Sequence, residues 1–187
     1  MSTRMTQSEL KDAMDRYGPG LMALATGICR DRHLAEEMVE EAFVRLWKSG
    51  PDAGPIAHGS WLRRVVTNLS INATRRKKLV QSVPDTIIQT YSGQGRTAEQ
   101  VTQQRFELER VREAMDRLDP AKRALLMLRG SENLSYDAIA EHLGIPRGTV
   151  MSRLNRARLC LQEELKRSDP DQQGDDHSWQ IKSYHQA

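Results

Sequence analysis

The sequence predicts an all-α chain made of two small helical domains joined by a flexible linker, the C-terminal one a helix-turn-helix. Three observations predict it. Apolar residues recur at intervals of three and four through most of the first 80 residues and again from Val101 onward. The stretches that carry this spacing are dominated by Leu, Ala, Met, Glu and Arg, which are good helix formers. Between them, residues 81–100 hold Pro84, Gly93, Gly95 and several Ser, Thr and Gln, a composition that buries too little surface to order itself. With 187 residues, 38% of them apolar and 28% charged, the chain suits two small bundles better than one thick core.

The first domain is read over residues 5–80. From Glu9 to Lys48 the apolar set Leu21, Leu24, Ala25, Ile28 is followed by Leu34, Ala35, Met38, Val39, Ala42, Phe43, Leu46, Trp47, which predicts two helices with a break near Arg30 to His33. Ser49 to Gly59 carries three glycines and two prolines and reads as a loop. Trp61, Leu62, Val65, Val66 and Leu69 form the apolar face of a third helix, which runs into Arg75, Arg76, Lys77 and Lys78. Residues 81–100 are the linker.

The second domain is read over residues 101–167. Val101, Leu108, Val111, Met115 and Leu118 predict an amphipathic helix. Asp119 followed by Pro120 is a helix start, with the carboxylate as cap and proline where no N–H is needed, and Gly130 is placed to end that helix. Ser135 caps a short helix holding Tyr136, Ile139, Ala140 and Leu143, which Gly144 stops. Ile145 turns inward, and Pro146 leads into a longer helix with Val150, Leu154, Ala157 and Leu161 on one face. Helix, glycine turn, helix is the helix-turn-helix plan. Residues 168–187, with Asp169, Asp171, Asp175 and Asp176, read as a disordered acidic tail.

The net charge is only +3, but it is unevenly placed. Trp61 to Val80 holds six basic residues and no acid, and Gly144 to Arg167 holds six against two. Cys29 and Cys160 fall in different domains and form no paired motif, which fits a reducing, cytoplasmic setting. The polar N-terminus has no signal-peptide core and no apolar run is long enough to span a bilayer, so no membrane insertion is expected. Phosphate-cradling glycine loops, His-Glu-x-x-His and cysteine pairs are missing, so neither an enzyme nor a metal or cofactor site is predicted. Cys29 and His33 have helical ligand spacing, but two ligands do not make a structural zinc site.

The outer face of the last long helix presents Arg147, Thr149, Ser152, Arg153, Arg156 and Arg158. Such a face suits a major groove, with its N-terminal residues on base edges and later arginines on phosphates. In the first domain, Leu34 to Trp47 reads LAEEMVEEAFVRLW, which puts Glu36 and Glu40 on one stripe and Glu37 and Glu41 on the next. An acidic stripe repels phosphate, so it either meets a positively charged protein or is a solvated face.

Three blocks in this order, LAEEMVEEAFVRLW, WLRRVVTNLSINATRRKK and LSYDAIAEHLGIPRGTVMSRLNRARLCLQEEL, resemble the extracytoplasmic-function (ECF) sigma factors of bacterial RNA polymerase, which belong to the sigma-70 family. The resemblance covers Tyr17 to Leu165. It implies that the first block docks on the clamp helices of the largest polymerase subunit, through Glu36, Glu37, Glu40 and Glu41 with Phe43 and Trp47. It implies that the second block recognises and opens the minus-ten promoter element, holding an extruded base in a loop-lined pocket. There Asn68, Ser70 and Asn72, with Thr67, offer amides and hydroxyls in a stretch able to break the helix. Asn68 matches the family's pocket asparagine, or is a local cap; Arg63, Arg64, Arg75, Arg76 and Lys77 would track the backbone.

By the same resemblance the helix-turn-helix reads the minus-35 element. Twenty base pairs span about 70 Å, and about twenty extended linker residues reach roughly 66–72 Å, so the tether suffices. An anti-sigma protein is a further implied partner. The chain departs from the family pattern at Met151, where many members carry Lys, at Asn72, where many carry Asp, and in the glycine-rich Ser49 to Gly59 segment. The alternative is a stand-alone helix-turn-helix regulator that needs no polymerase; it leaves the second basic block and the acidic stripe unexplained.

Overall fold

The computed structural model describes residues 5–51, 55–80 and 98–167. Among them are seven helices and no strand: α1 (Gln7–Cys29), α2 (Arg32–Ser49), α3 (Pro55–Val80), α4 (Ala98–Arg117), α5 (Pro120–Gly130), α6 (Tyr136–Leu143) and α7 (Arg147–Arg167). The expected all-α class is what forms. Residues 81–97 of the linker and all of the tail read from the sequence lie outside the described residues, while the last three residues assigned to the linker, 98–100, belong to α4 instead.

Local chemistry sets the helix ends. Thr6 and Glu9 exchange hydrogen bonds in a capping box at the start of α1: the Thr6 hydroxyl accepts from the Glu9 N–H at 3.3 Å and the Glu9 carboxylate from the Thr6 N–H at 2.7 Å. Asp31 caps α2, accepting from the Leu34 N–H at 3.1 Å. Asp119 caps α5 with Pro120 as its first residue, as the sequence predicts. Ser135 caps α6 by accepting from the Ala138 N–H at 3.1 Å, and Gly144 ends it at φ 66°, a left-handed conformation that suits glycine.

Two expectations need correction. The loop after α2 is shorter than the glycine and proline content suggests, because Pro55 opens α3, where its missing N–H costs nothing. The polar stretch from Thr67 to Asn72 does not break α3. The Thr67 hydroxyl donates to the Arg63 carbonyl at 2.8 Å and, just beyond the stretch, the Thr74 hydroxyl to the Ser70 carbonyl at 2.7 Å, so both bond back along the helix, whereas the buried Ser70 hydroxyl meets no partner among the described residues.

Two apolar clusters organise the molecule. Leu21, Ala25, Val39, Phe43, Leu46, Leu62 and Val66 join α1, α2 and α3. The second cluster is not confined to the C-terminal helices: Leu24 and Ile28 of α1 pack among Leu125, Leu128, Ile139, Val150 and Leu154. Gly27 of α1 faces the Met127 side chain of α5 here; a side-chain carbon at Gly27 would lie 2.4 Å from the Met127 methyl, so Met127 would have to shift to admit it. Across this junction the fully buried Arg123 of α5 donates from Nε to the Ile28 carbonyl at 2.8 Å. Its Nη1 reaches the carbonyls of Met115, Asp116 and Leu118 at 3.3, 3.2 and 3.1 Å. A buried cation is tolerated only when so many acceptors replace its water. Arg30 adds an ion pair with Asp116.

Candidate nucleic-acid interface

The helix-turn-helix is formed by α6, the Gly144 turn and α7. Val150, Leu154 and Ala157 are buried, which fixes the opposite side of α7 toward solvent. Arg147, Ser152, Arg153 and Arg156 are exposed there, while Thr149 and Arg158 are half-buried at its edges. Arg147 reaches Asp137, in the first turn of α6, at 3.3 Å, between two side chains that are both mostly in solvent. Such a pair exchanges readily for water or phosphate. Among the described residues, no carboxylate pairs with Arg153, Arg156 or Arg158.

The basic face of α3 is placed differently. Asn68 and Asn72 are exposed one turn apart, with Arg64 and Arg76 exposed beside them. Arg63 donates to Glu132 at 2.8 Å, Arg75 to Asp119 at 3.4 Å, and Lys77 to Asp31 at 2.5 Å. The first two of these carboxylates come from the segment between α5 and α6 and from the cap of α5, so the C-terminal helices cover part of this face. Partial burial acts to raise the Asp31 carboxyl, but the hydrogen bonds from Lys77 and the Leu34 N–H together outweigh it and hold the group below its ordinary value.

Thr67 and His142 are the buried polar pair where α3 meets α6. The Thr67 hydroxyl spends its only proton on Arg63, so His142 Nε2–H donates to it, at 3.1 Å. Burial, and then the nearby Arg63 and Arg64 charges, push the imidazole down to about 4, which keeps it neutral. Neither Thr67 nor His142 was singled out by charge pattern in the sequence as part of an interface between the two halves.

Three residues expected at surfaces are buried instead, Thr67 in the pair just described and two more. Phe43 lies in the first cluster, because it shares the inward stripe of α2 with Val39 and Leu46. Ser70 has no exposed surface, since it follows Val66 by one turn and faces α1; its carbonyl accepts from the Cys29 thiol at 3.9 Å. Desolvation raises that thiol above its ordinary value, so it is inert toward chemistry that needs a thiolate. On the acidic stripe, Glu37 and Glu40 are exposed, Glu36 accepts from Arg32 at 2.9 Å, Glu41 from Arg45 at 2.7 Å, and Trp47 is half-buried. No helix among the described residues is long and apolar enough to cross a membrane.

Comparison with known proteins places both halves in one class. Sigma-70 region 2 matches residues 13–80 and sigma-70 region 4 matches residues 108–161, in that order along the chain. The fold and the paired basic helices thus define a sigma-70-type transcription factor. The chain is 30% identical over 155 residues to the ECF RNA polymerase sigma factor EcfG of Rhodopseudomonas palustris, covering 81% of this chain and 82% of the relative. It is 31% identical over 144 residues to the ECF sigma factor SigE of Mycolicibacterium smegmatis, covering 76% of this chain and 56% of that longer protein. The solved sigma factor RpoE of Bartonella quintana, in complex with the anti-sigma factor NepR, has a similar fold with a TM-score of 0.64 at 25% identity, covering 85% of this chain and 98% of the other.

The chain belongs to the ECF RNA polymerase sigma factors. Its function is accordingly promoter recognition with RNA polymerase in transcription initiation. A stand-alone regulator is not favoured, because the match extends through the first half as well as the helix-turn-helix.

Proposed function

We propose a division of labour among three surfaces of this sigma factor. The domain over residues 5–80 docks on the polymerase clamp helices through the acidic stripe of α2, chiefly the exposed Glu37 and Glu40 with Glu36, Glu41 and Trp47 around them. The same domain engages the minus-ten element through Asn68, Asn72, Arg64, Arg76 and, once released from their carboxylates, Arg63, Arg75 and Lys77. The domain over residues 98–167 reads the minus-35 duplex with Arg147, Thr149, Ser152, Arg153, Arg156 and Arg158. The linker over 81–97 lets the two act at separated sites.

Phe43 and Ser70 act from within, as packing groups that set the angle of α2 and α3. The protein works in the cytoplasm, has no catalytic centre of its own, and is held inactive by an anti-sigma protein, as the complex of its Bartonella relative suggests.

One observation carries this reading most directly: the arginine-rich side of α7 is solvent-exposed and lies opposite a buried apolar seam. Replacing Arg153 and Arg156 by Ala in polymerase-bound protein is expected to weaken upstream-duplex binding and to reduce its salt slope by about one per lost phosphate contact, leaving polymerase binding intact. Unchanged affinity and slope would refute the assignment of α7.

A further inference from the structure

One large apolar side chain stands among the polar residues of the first turns of α7. Met151 is 49% exposed, one turn after Arg147 and one turn before Asn155, both exposed as well. It belongs to neither apolar cluster. Three residues earlier, Gly148 is also exposed, and a side-chain carbon added there would touch nothing within 4 Å. Neither packing nor backbone conformation requires a glycine at that point, although glycine weakens a helix relative to alanine. Together the two residues leave an uncharged edge at the start of the helix, low at Gly148 and apolar at Met151, between Arg147 and the Arg153–Arg156 side.

We propose that Met151 is a specificity-determining residue that reads the C5-methyl group of a thymine in the minus-35 duplex, with Gly148 letting the helix approach the groove closely. The inference rests on α7 being the helix that enters the major groove. A thioether offers no strong donor or acceptor, so it gains nothing from the amide, carbonyl and ring-nitrogen edges of the bases. The thymine methyl is the one apolar feature of the major groove. Methionine is unbranched and polarisable, so its terminal methyl can settle on that group without the fixed geometry a hydrogen bond demands. A lysine at the same position would bring charge and salt dependence; methionine exchanges these for preference at one base pair.

The test uses polymerase holoenzyme reconstituted with the full chain. An upstream element is first selected from a randomised duplex, and each thymine on either strand is then replaced singly by deoxyuridine, which removes only the methyl group. One position is expected to lose about fourfold in affinity, the worth of one buried methyl, and Met151→Ala should abolish that sensitivity while leaving the other positions as they were. Met151→Lys should relax the base preference there and steepen the salt dependence. Tolerance of deoxyuridine at every position, a selected element without an A·T pair, or a methyl-sensitive position that persists in Met151→Ala would each overturn the proposal. Those outcomes leave the assignment of α7 standing if Arg153→Ala still weakens binding to the same duplex. If Arg153→Ala and Arg156→Ala change nothing either, the groove-entering role of α7 fails and Met151 fails with it.

Discussion

The two basic helices of this sigma factor carry similar charge but face different surroundings. On α7, Arg153 and Arg156 look into solvent, and the pair between Arg147 and Asp137 is itself largely exposed. On α3, Arg63 and Arg75 meet carboxylates supplied by the C-terminal half, and Lys77 meets the cap of α2. The surface proposed for the minus-35 duplex is therefore available as the chain stands, whereas the one proposed for the minus-ten element is partly covered. Counting lysines and arginines describes how much charge a helix has; only the packing of α5 and α6 against α1 and α3 determines what that charge can reach.

The largest effect should come from the residue that spans both halves. Replacing Arg123 with Met removes hydrogen bonds to the carbonyls of Ile28, Met115, Asp116 and Leu118 in a buried place. A loss of about 3 kcal/mol or more in unfolding free energy is expected by urea denaturation. A loss below about 1 kcal/mol would mean that the junction is not built around this guanidinium.

The junction should also respond to acid. His142 has its proton affinity lowered to about 4 while it is packed against Thr67, Arg63 and Arg64, with Glu132 paired to Arg63 and Glu141 on the same helix. Exposed histidine titrates near 6.5, so the open or unfolded chain takes up the extra proton first. The contact is therefore fully stabilising above pH 6.5 and weakens as pH falls from there toward 4. At pH 5 the deficit is about 2 kcal/mol. Distance measurements by fluorescence transfer between labels on α2 and α7 should show the two halves separating over that interval. His142→Gln should flatten the response, and an unaltered pH profile in that variant would remove the histidine from the account.

The smallest effect belongs to the partly exposed ion pairs. Glu132→Gln and Asp119→Asn should each release a basic side chain of α3 at a cost of no more than about 1 kcal/mol in junction stability. With core polymerase present, both are expected to speed promoter opening without changing affinity for the upstream duplex. Faster opening together with a changed upstream affinity would show that the two surfaces are not separable.

How much of this was legible beforehand differs from feature to feature. The helix-turn-helix is written locally: Ser135 as cap, Gly144 in the left-handed turn, and Val150, Leu154 and Ala157 at helical spacing all specify it without reference to distant residues. The breaks at Asp31 and at Asp119-Pro120 were readable for the same reason. The burial of Phe43 and Ser70 was also readable, since each lies at helical spacing from apolar neighbours, and that spacing conflicts with the surface role the family resemblance implies for them.

The junction between the halves was not legible. Periodicity shows that Leu24 and Ile28 face inward, yet it cannot say which helix they meet, because that is set by contacts about a hundred residues away in sequence. Arg123 gave one faint signal: it sits among Pro120, Ala124 and Met127, on the apolar side of its own helix. An arginine in such a place reads as an exposed charge until the four carbonyls that surround it are known.

The division of labour is tested most directly by placing a DNA-cleaving reagent on each basic helix in turn, at Ser152→Cys on α7 and at Asn72→Cys on α3, with Cys160 replaced by Ser and the chain bound to polymerase at a promoter. The expected result is strand scission confined to the minus-35 region from the first position and to the minus-ten region from the second. Scission at the same element from both positions, or none from Ser152→Cys in a complex that still initiates transcription, would contradict it.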